Sequence, residues 1–246
     1  MFYWLVKIVL RPLFRLFFRP VVTGAQNIPP SGGALLASNH LSMCDSLFLP
    51  VMTRRRVSFL AKKEYFTGRG LKGRAKAAFV RGTGLIPLYR YNADAAAAAL
   101  ATGARAVRDG LLLGGYPEGT RSPDGRLYRG KTGVARMARE AGVPVVPVGL
   151  IGMFALQPAG RRIPKLGKVE VRIGKPLDFS RYSGMEGDRF VLRSITDEIM
   201  YELMVLSGQE YVDTYATQAK ADIEDARRAA RESLVSDAPA PGRRAS

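Results

Sequence analysis

Apolar residues along this chain fall in short unbroken runs more often than in strict alternation. The runs are Val21-Val22-Thr23-Gly24, Ala34 to Ser38, Val57 to Ala61, Gly84 to Arg90, Leu111 to Tyr116, Val143 to Leu150 and Val169 to Ile173. Each has the length of a strand buried on both faces. Helical segments lie between them: Leu47 to Met52, Ala93 to Arg108 behind the capping Asn92, and Thr132 to Ala141 closed by Gly142. Two longer helices are expected near the end, Met185 to Leu206 and Glu210 to Val235, the second highly charged and loosely packed. Strands separated by helices predict an α/β fold with a mostly parallel central sheet flanked by helices. Ligands on such sheets sit beyond the carboxyl ends of the strands. His40, Arg90 and the Gly-, Pro- and hydroxyl-rich turn through Glu118 to Ser122 all follow strand ends, and this groups them.

The first nineteen residues, MFYWLVKIVLRPLFRLFFR, follow another pattern. Lys7, Arg11, Arg15 and Arg19 recur every four residues opposite Phe, Trp and Leu. That suits an amphipathic helix lying in a membrane interface with cations toward anionic headgroups, kinked at Pro12. A helix packed on its own domain gives the same periodicity. Charges interrupt every apolar stretch before it reaches 18 residues, so no spanning segment and no signal peptide are expected. The expected division is an interface helix (1–19), one α/β domain (20–207), a charged helix (208–235) and a disordered tail (236–246).

Composition narrows the partners. The chain has 246 residues and a formal net charge of +17, which calls for an anionic partner such as a lipid surface, a nucleic acid or a phosphorylated substrate. Between Arg54 and Arg81 ten cations face a single acid, Glu64, with aromatic residues interleaved. This segment reads as a solvated face or as a surface for headgroups, coenzyme A or an acyl carrier protein. The one cysteine, Cys44, and one histidine, His40, exclude an intrachain disulfide and a Cys/His zinc site. Cys44 reads as a small apolar residue sooner than as a nucleophile.

His40 is the one candidate imidazole base, and Asp45 lies five residues on. Within one straight helix the pair would diverge by about 140°. With His40 on the turn after a strand and Asp45 in the first turn of the next helix, the carboxylate can hold one ring nitrogen and leave the other free. A surface or capping histidine is the plainer reading. Gly125 to Thr132 matches the phosphate-loop expression G-x-x-x-x-G-K-T, but no strand runs into its first glycine, as that motif requires. Lys131 within it can still meet a phosphate. Arg90 and Arg121 can hold one through bidentate contacts.

Four segments occur in order over about residues 20–180: Asn39-His40-x-x-x-x-Asp45, Gly84 to Arg90, Tyr116-Pro117-Glu118-Gly119-Thr120-Arg121-Ser122, and Val143 to Val148. Together they resemble the four motifs of the 1-acylglycerol-3-phosphate acyltransferase family, the HX4D glycerolipid acyltransferases. Tyr116 stands where Phe is usual, and Leu88-Tyr89 precede Arg90 where an Ile-Asp pair is common. The resemblance implies a glycerol-3-phosphate acyltransferase-like fold. In it His40 acts as general base oriented by Asp45, Arg90 and Arg121 hold the acceptor phosphate, and Glu118 and Gly119 shape the acceptor site; Lys131 is a further candidate for the phosphate, and Thr120 and Ser122 for the acceptor site. It also implies transfer of a fatty acyl group from acyl-CoA or acyl carrier protein to the sn-2 hydroxyl of lysophosphatidic acid, giving phosphatidic acid. No metal and no cofactor beyond the thioester co-substrate is expected, nor any nucleic-acid partner. The expected location is peripheral, on the cytoplasmic face of the cell membrane. Other lysophospholipid or glycolipid acceptors stay open. So do a serine hydrolase using Ser38 or Ser42, although no G-x-S-x-G elbow is present, and a non-enzymatic basic module for membrane or nucleic acid.

Overall fold

The computed structural model describes residues 2–62, 66–67, 70–82, 84–88, 93–158, 161, 163–185 and 187–236. A seven-stranded sheet forms the centre, in the order β1 (Val21–Thr23), β8 (Glu170–Ile173), β7 (Val145–Ile151), β2 (Ala34–Ser38), β5 (Leu112–Gly115), β3 (Val57–Lys62), β4 (Ile86–Leu88). Every neighbouring pair is parallel except β7 with β8. β2 lies in the middle and is buried along its whole length, which is why its sequence shows no alternation. Helices α1 (Phe2–Phe18), α2 (Asp45–Met52), α3 (Gly70–Gly82), α4 (Ala93–Arg108), α5 (Gly133–Ala141), α6 (Met153–Leu156), α7 (Arg189–Ser207) and α8 (Ala216–Ser236) complete the chain.

Two apolar layers sandwich the sheet. Phe48, Leu49, Val51, Val148, Val171 and Ile173 lie in one. Leu35, Leu113, Val134, Ala138, Ile195, Ile199 and Leu203 lie in the other. The alternation of Leu35 and Leu36 between the layers is the period-2 pleat at work.

Several elements depart from the sequence reading. α3 carries four cations among small residues and so shows no clear apolar stripe in sequence, yet Ala77 and Val80, three apart, are buried on one face. The segment 210–235 is not one helix: Tyr211–Val212 form β9, paired with β6 (Leu127–Tyr128), and α8 starts at Ala216. α7 begins at Arg189, where Asp188 accepts from the backbone N–H groups of Phe190 and Val191. Ser236 ends α8, so it belongs to a helix, and the rest of the expected tail lies outside the described residues. The strand expected over Gly84 to Arg90 is Ile86–Leu88; Arg90, with Tyr89 and Asn92, lies outside the described residues.

α1 continues through Pro12 as one helix. Its basic stripe is divided. Lys7 is buried, and its ammonium donates to the carbonyls of Thr53 and Arg54 just past the end of α2. Cations at a helix carboxyl end satisfy carbonyls that the helix itself leaves open. Burial, with the nearby Arg11 charge, lowers Lys7 to about 8. Lys7 therefore faces the domain, not headgroups, and Arg11, Arg15 and Arg19 remain exposed. Phe14 and Phe18 pack on Phe48 of α2, at ring distances of 4.6 and 5.0 Å. Trp4, Leu5, Ile8, Val9, Leu16 and Phe17 stay exposed on the same helix. Among the described residues no helix is long and apolar enough to cross a membrane.

Candidate active site

The register of the sheet brings two loops together. β2 and β5 are parallel neighbours, so the loop after β2, carrying His40, and the loop after β5, carrying Tyr116 to Ser122, emerge side by side at their carboxyl ends. The His40 Nδ1 lies 2.9 Å from Asp45 Oδ2. The same oxygen accepts the backbone N–H groups of Leu41 at 2.7 Å and Ser42 at 2.8 Å. Asp45 is fully buried at the first turn of α2, where the helix dipole favours a carboxylate. An oxygen that accepts from three directions requires a donating Nδ1, so Nε2 carries the lone pair. Nε2 has no hydrogen-bond partner among the described residues, and the ring keeps some exposure, 17%. Tyr116 stacks on the imidazole, with centroids 3.8 Å apart and planes 9° from parallel, and its hydroxyl meets Ser46 at 2.9 Å. Burial, with the Asp45 charge, raises the Tyr116 phenol well above its ordinary range, so it stays neutral beside the base.

Glu118 is fully buried. Its Oε2 accepts the His40 N–H at 2.9 Å and its Oε1 the Tyr128 N–H at 3.1 Å. It acts on the loop that presents the base and does not line an open surface. The Ser122 N–H donates to the His40 carbonyl at 2.7 Å, and its hydroxyl accepts from the Gly125 N–H at 2.9 Å. His40 is thus held at both of its backbone polar groups by the β5 loop. Asn39, just before it, is locked to β7 by a reciprocal pair with Leu150, 2.9 and 2.8 Å, and to Gln209 at 2.6 Å. Gln209 in turn donates to the Gly125 carbonyl at 2.6 Å. Neither Gln209 nor the ring of Tyr116 was marked as functional by sequence pattern. Tyr116 did stand inside the third motif, and Gln209 carried no signal.

Burial raises the Glu118 carboxyl to about 7, the Asp45 charge acting in the same direction; the two N–H groups and Lys220 oppose it. A folded-state value above the ordinary 4.5 means that the native state holds this proton more tightly than the unfolded chain. The stability it contributes is complete below about 4.5 and is lost as pH rises through about 7. At about 1.4 kcal/mol per pH unit the span approaches about 3 kcal/mol. The melting temperature of Glu118→Gln is expected to fall less steeply than wild type between these pH values in a calorimetric series. The slope is the measure, because an amide NH₂ facing a backbone N–H lowers stability at every pH. Equal slopes would refute the assignment.

The remaining loop residues gather cations. Gly119 has φ +72°, the left-handed region, and a Cβ there would sit 3.2 Å from the Lys131 side chain. The Thr120 hydroxyl accepts from the Lys220 ammonium of α8 at 2.6 Å. Arg121 follows, half-buried. Among the described residues no carboxylate stands within salt-bridge distance of Arg121, Lys131 or Lys220. Cations that no carboxylate meets at salt-bridge distance are suited to an anion. Arg90 cannot be added to it, since it lies outside the described residues.

Two other readings lose their chemistry here. In the phosphate-loop match the backbone N–H groups of Leu127, Tyr128, Arg129 and Lys131 donate to Glu210, Glu118, Val212 with Thr214, and Pro117. None of these four is free to cradle a phosphate as that motif does. The hydroxyls of Ser38 and Ser42 are buried and donate to the Asn39 carbonyl and to Gln157, so neither addresses the imidazole as a hydrolase nucleophile would. Cys44 packs at the edge of the core, and burial raises its thiol. In the Arg54 to Arg56 cluster, Arg55 donates to the carbonyls of Pro29, Gly32 and Gly110. Arg56 lies over the Tyr3 ring at 5.2 Å. That part of the basic segment is bound to the domain itself.

An apolar cavity of about 110 Å³ opens between α1, α2 and β3, lined by Val6, Leu10, Leu47, Val51, Phe59 and Leu85 among others. Ser46 and Phe59 on its wall both contact Tyr116, so the cavity lies directly behind the ring that stacks on His40.

Known proteins resemble this chain in sequence and in fold. A family model described as Acyltransferase matches residues 19–151. The chain is 32% identical over 163 residues to the chloroplastic 1-acyl-sn-glycerol-3-phosphate acyltransferase BAT2 of Brassica napus, covering 65% of this chain and 46% of that protein. It is 33% identical over 115 residues to the human 1-acyl-sn-glycerol-3-phosphate acyltransferase beta, covering 46% and 40% respectively. The chain spans about half the length of the curated relatives it matches. The crystal structure of the 1-acyl-sn-glycerophosphate (LPA) acyltransferase PlsC from Thermotoga maritima superposes with a TM-score of 0.60 at 27% identity, covering 80% of this chain and 78% of that one.

Proposed function

Because this chain belongs to the acyltransferase family, we propose that it transfers a fatty acyl group from a thioester, acyl-CoA or acyl carrier protein, to the sn-2 hydroxyl of lysophosphatidic acid, forming phosphatidic acid. The observation that carries the proposal is His40 Nδ1 held 2.9 Å from the buried Asp45. Nε2 takes the hydroxyl proton, and the alcohol oxygen attacks the thioester carbonyl. The tetrahedral intermediate then expels the thiolate, and the imidazolium returns the proton to it. Asp45 stabilises the imidazolium while it exists. Arg121 and Lys131 meet the acceptor phosphate, and the cavity behind Tyr116 takes part of an acyl chain. The names of the similar proteins and the cluster of cations without a salt-bridged acid support this acceptor class. The direct test is transfer from labelled acyl-CoA and acyl carrier protein to a panel of lysophospholipids and glycolipids, with His40→Ala beside wild type. Transfer to lysophosphatidic acid is the expected result. Free fatty acid formed without acceptor would overturn it in favour of a hydrolase.

The same proposal includes peripheral attachment to the cytoplasmic face of the cell membrane through α1. Its exposed Leu5, Ile8 and Leu16, beside Arg11 and Arg15, match an interfacial helix over an anionic surface. Full burial of each such side chain stabilises by about 1.5–3 kcal/mol. Replacing Leu5, Ile8 and Leu16 together by serine is therefore expected to lower the fraction floating with anionic vesicles by at least about tenfold. Unchanged flotation would remove α1 as the anchor. Deleting the helix is a poorer test, since Lys7, Phe14 and Phe18 hold the domain.

A further inference from the structure

We propose that Lys220 of α8 belongs to the acceptor phosphate site and sets its preference for a phosphomonoester over a phosphodiester. Lys220 takes this part only if the chain is the phospholipid acyltransferase proposed above.

α8 is seated by its first two turns alone. Ala216 is fully buried, Ala219, Lys220 and Ile223 are half-buried, and residues 224–233 are all exposed. A helix joined to the domain over so short a stretch nevertheless delivers an ammonium to Thr120 Oγ1 at 2.6 Å. Thr120 lies between Gly119, against which the Lys131 side chain rests, and Arg121. Arg121 of the turn itself, Lys131 from the loop before α5 and Lys220 from α8 therefore stand at one turn, and none of them has an acid within salt-bridge distance among the described residues. Partial burial first, and then the like charge of Arg121, disfavour the charged form of Lys220, with Glu118 and Glu224 opposing. Such a cluster is relieved by an anion.

The chemistry indicates which anion. An ammonium has three donors, and Thr120 uses one, which leaves two for ligand oxygens. A phosphomonoester carries about −1.5 to −2 charges near neutrality and three terminal oxygens; a diester has one charge and two such oxygens. Arg121 and Lys131 suffice for the diester. A third cation adds most to the monoester, which brings the greater charge and a third terminal oxygen. The turn is also joined rigidly to the base, because Glu118, adjacent to Gly119, holds the His40 N–H. A phosphate seated on the turn is thereby held in a defined relation to Nε2.

The test titrates the catalytically silent His40→Ala protein carrying Lys220, Lys220→Met or Lys220→Arg. The probes are 1-acyl-sn-glycerol 3-phosphate and a lysophosphodiester of the same chain, both below micelle-forming concentrations. Lys220→Met is expected to weaken the monoester about 10- to 100-fold and the diester less than about threefold, as for loss of one charge-assisted contact. Lys220→Arg should recover most of the difference. Equal weakening of both ligands would mean that Lys220 only supports the turn, and unchanged monoester affinity would remove it from the site; either overturns the proposal. Lys220-dependent monoester binding in a protein whose wild type transfers no acyl group would refute the transferase reading while the anion site stood.

Discussion

Replacing His40 by alanine is expected to slow acyl transfer to lysophosphatidic acid about 10²- to 10⁴-fold, with little change in the KM of either substrate. The fold should tolerate the change, because the β5 loop grips His40 through its backbone. The His40 N–H donates to Glu118, and its carbonyl accepts from Ser122; both bonds survive loss of the ring. Tyr116 loses its stacking partner, worth about 0.5–1.5 kcal/mol. Steady-state kinetics with labelled thioester decide the matter. A kcat within about tenfold of wild type would remove the imidazole from the reaction and revive a non-enzymatic basic module, for which His40 is dispensable.

Asp45→Asn is expected to lower kcat about 10²- to 10³-fold, and the geometry makes the reason specific. Asp45 Oδ2 accepts all three hydrogen bonds, whereas Oδ1 is buried without a partner. An asparagine can place its oxygen where Oδ2 stands and keep both loop N–H groups and the Nδ1 donor satisfied. The neutral tautomer is then preserved, and what disappears is the negative charge that stabilises the imidazolium. At an effective dielectric of about 20 and charge centres about 4 Å apart that attraction is about 4 kcal/mol. The asparagine NH₂, left in the Oδ1 position, would also destabilise the fold by about 1–3 kcal/mol. Asp45→Ala should be worse on both counts, since Leu41 and Ser42 lose their acceptor. Rate and melting temperature measured on the two variants separate these effects. A kcat for Asp45→Asn equal to wild type would show that the carboxylate charge does not enter the transition state.

Some of this site was legible from residue order and some was not. The His40–Asp45 pair was legible because it is local, a strand end followed by a helix start with five residues between. Glu118 was visible as a residue of interest, but its burial was not, because one of its two N–H partners, on His40, is remote in sequence. The fourfold spacing of Lys7, Arg11, Arg15 and Arg19 marked a face correctly and misjudged Lys7. Periodicity shows that residues share a face and says nothing of what the face meets. β6 and β9 have two residues each, too few for any pattern, so the break before α8 could not be seen. Without that break Lys220 was one lysine among many on a charged helix.

The amino-acid order by itself determined the alternation of buried strands with helices, the identity of the one available imidazole and the cationic excess. Each of these follows from short-range pattern or from composition. The tertiary structure decided that β5 lies beside β2, and with it that the Glu118 carboxylate faces inward to the His40 backbone and that Arg121, Lys131 and Lys220 meet at one turn. Parallel neighbours must be joined by a crossover, so the strands that end side by side are far apart in the chain. No local spacing records which loops will then converge.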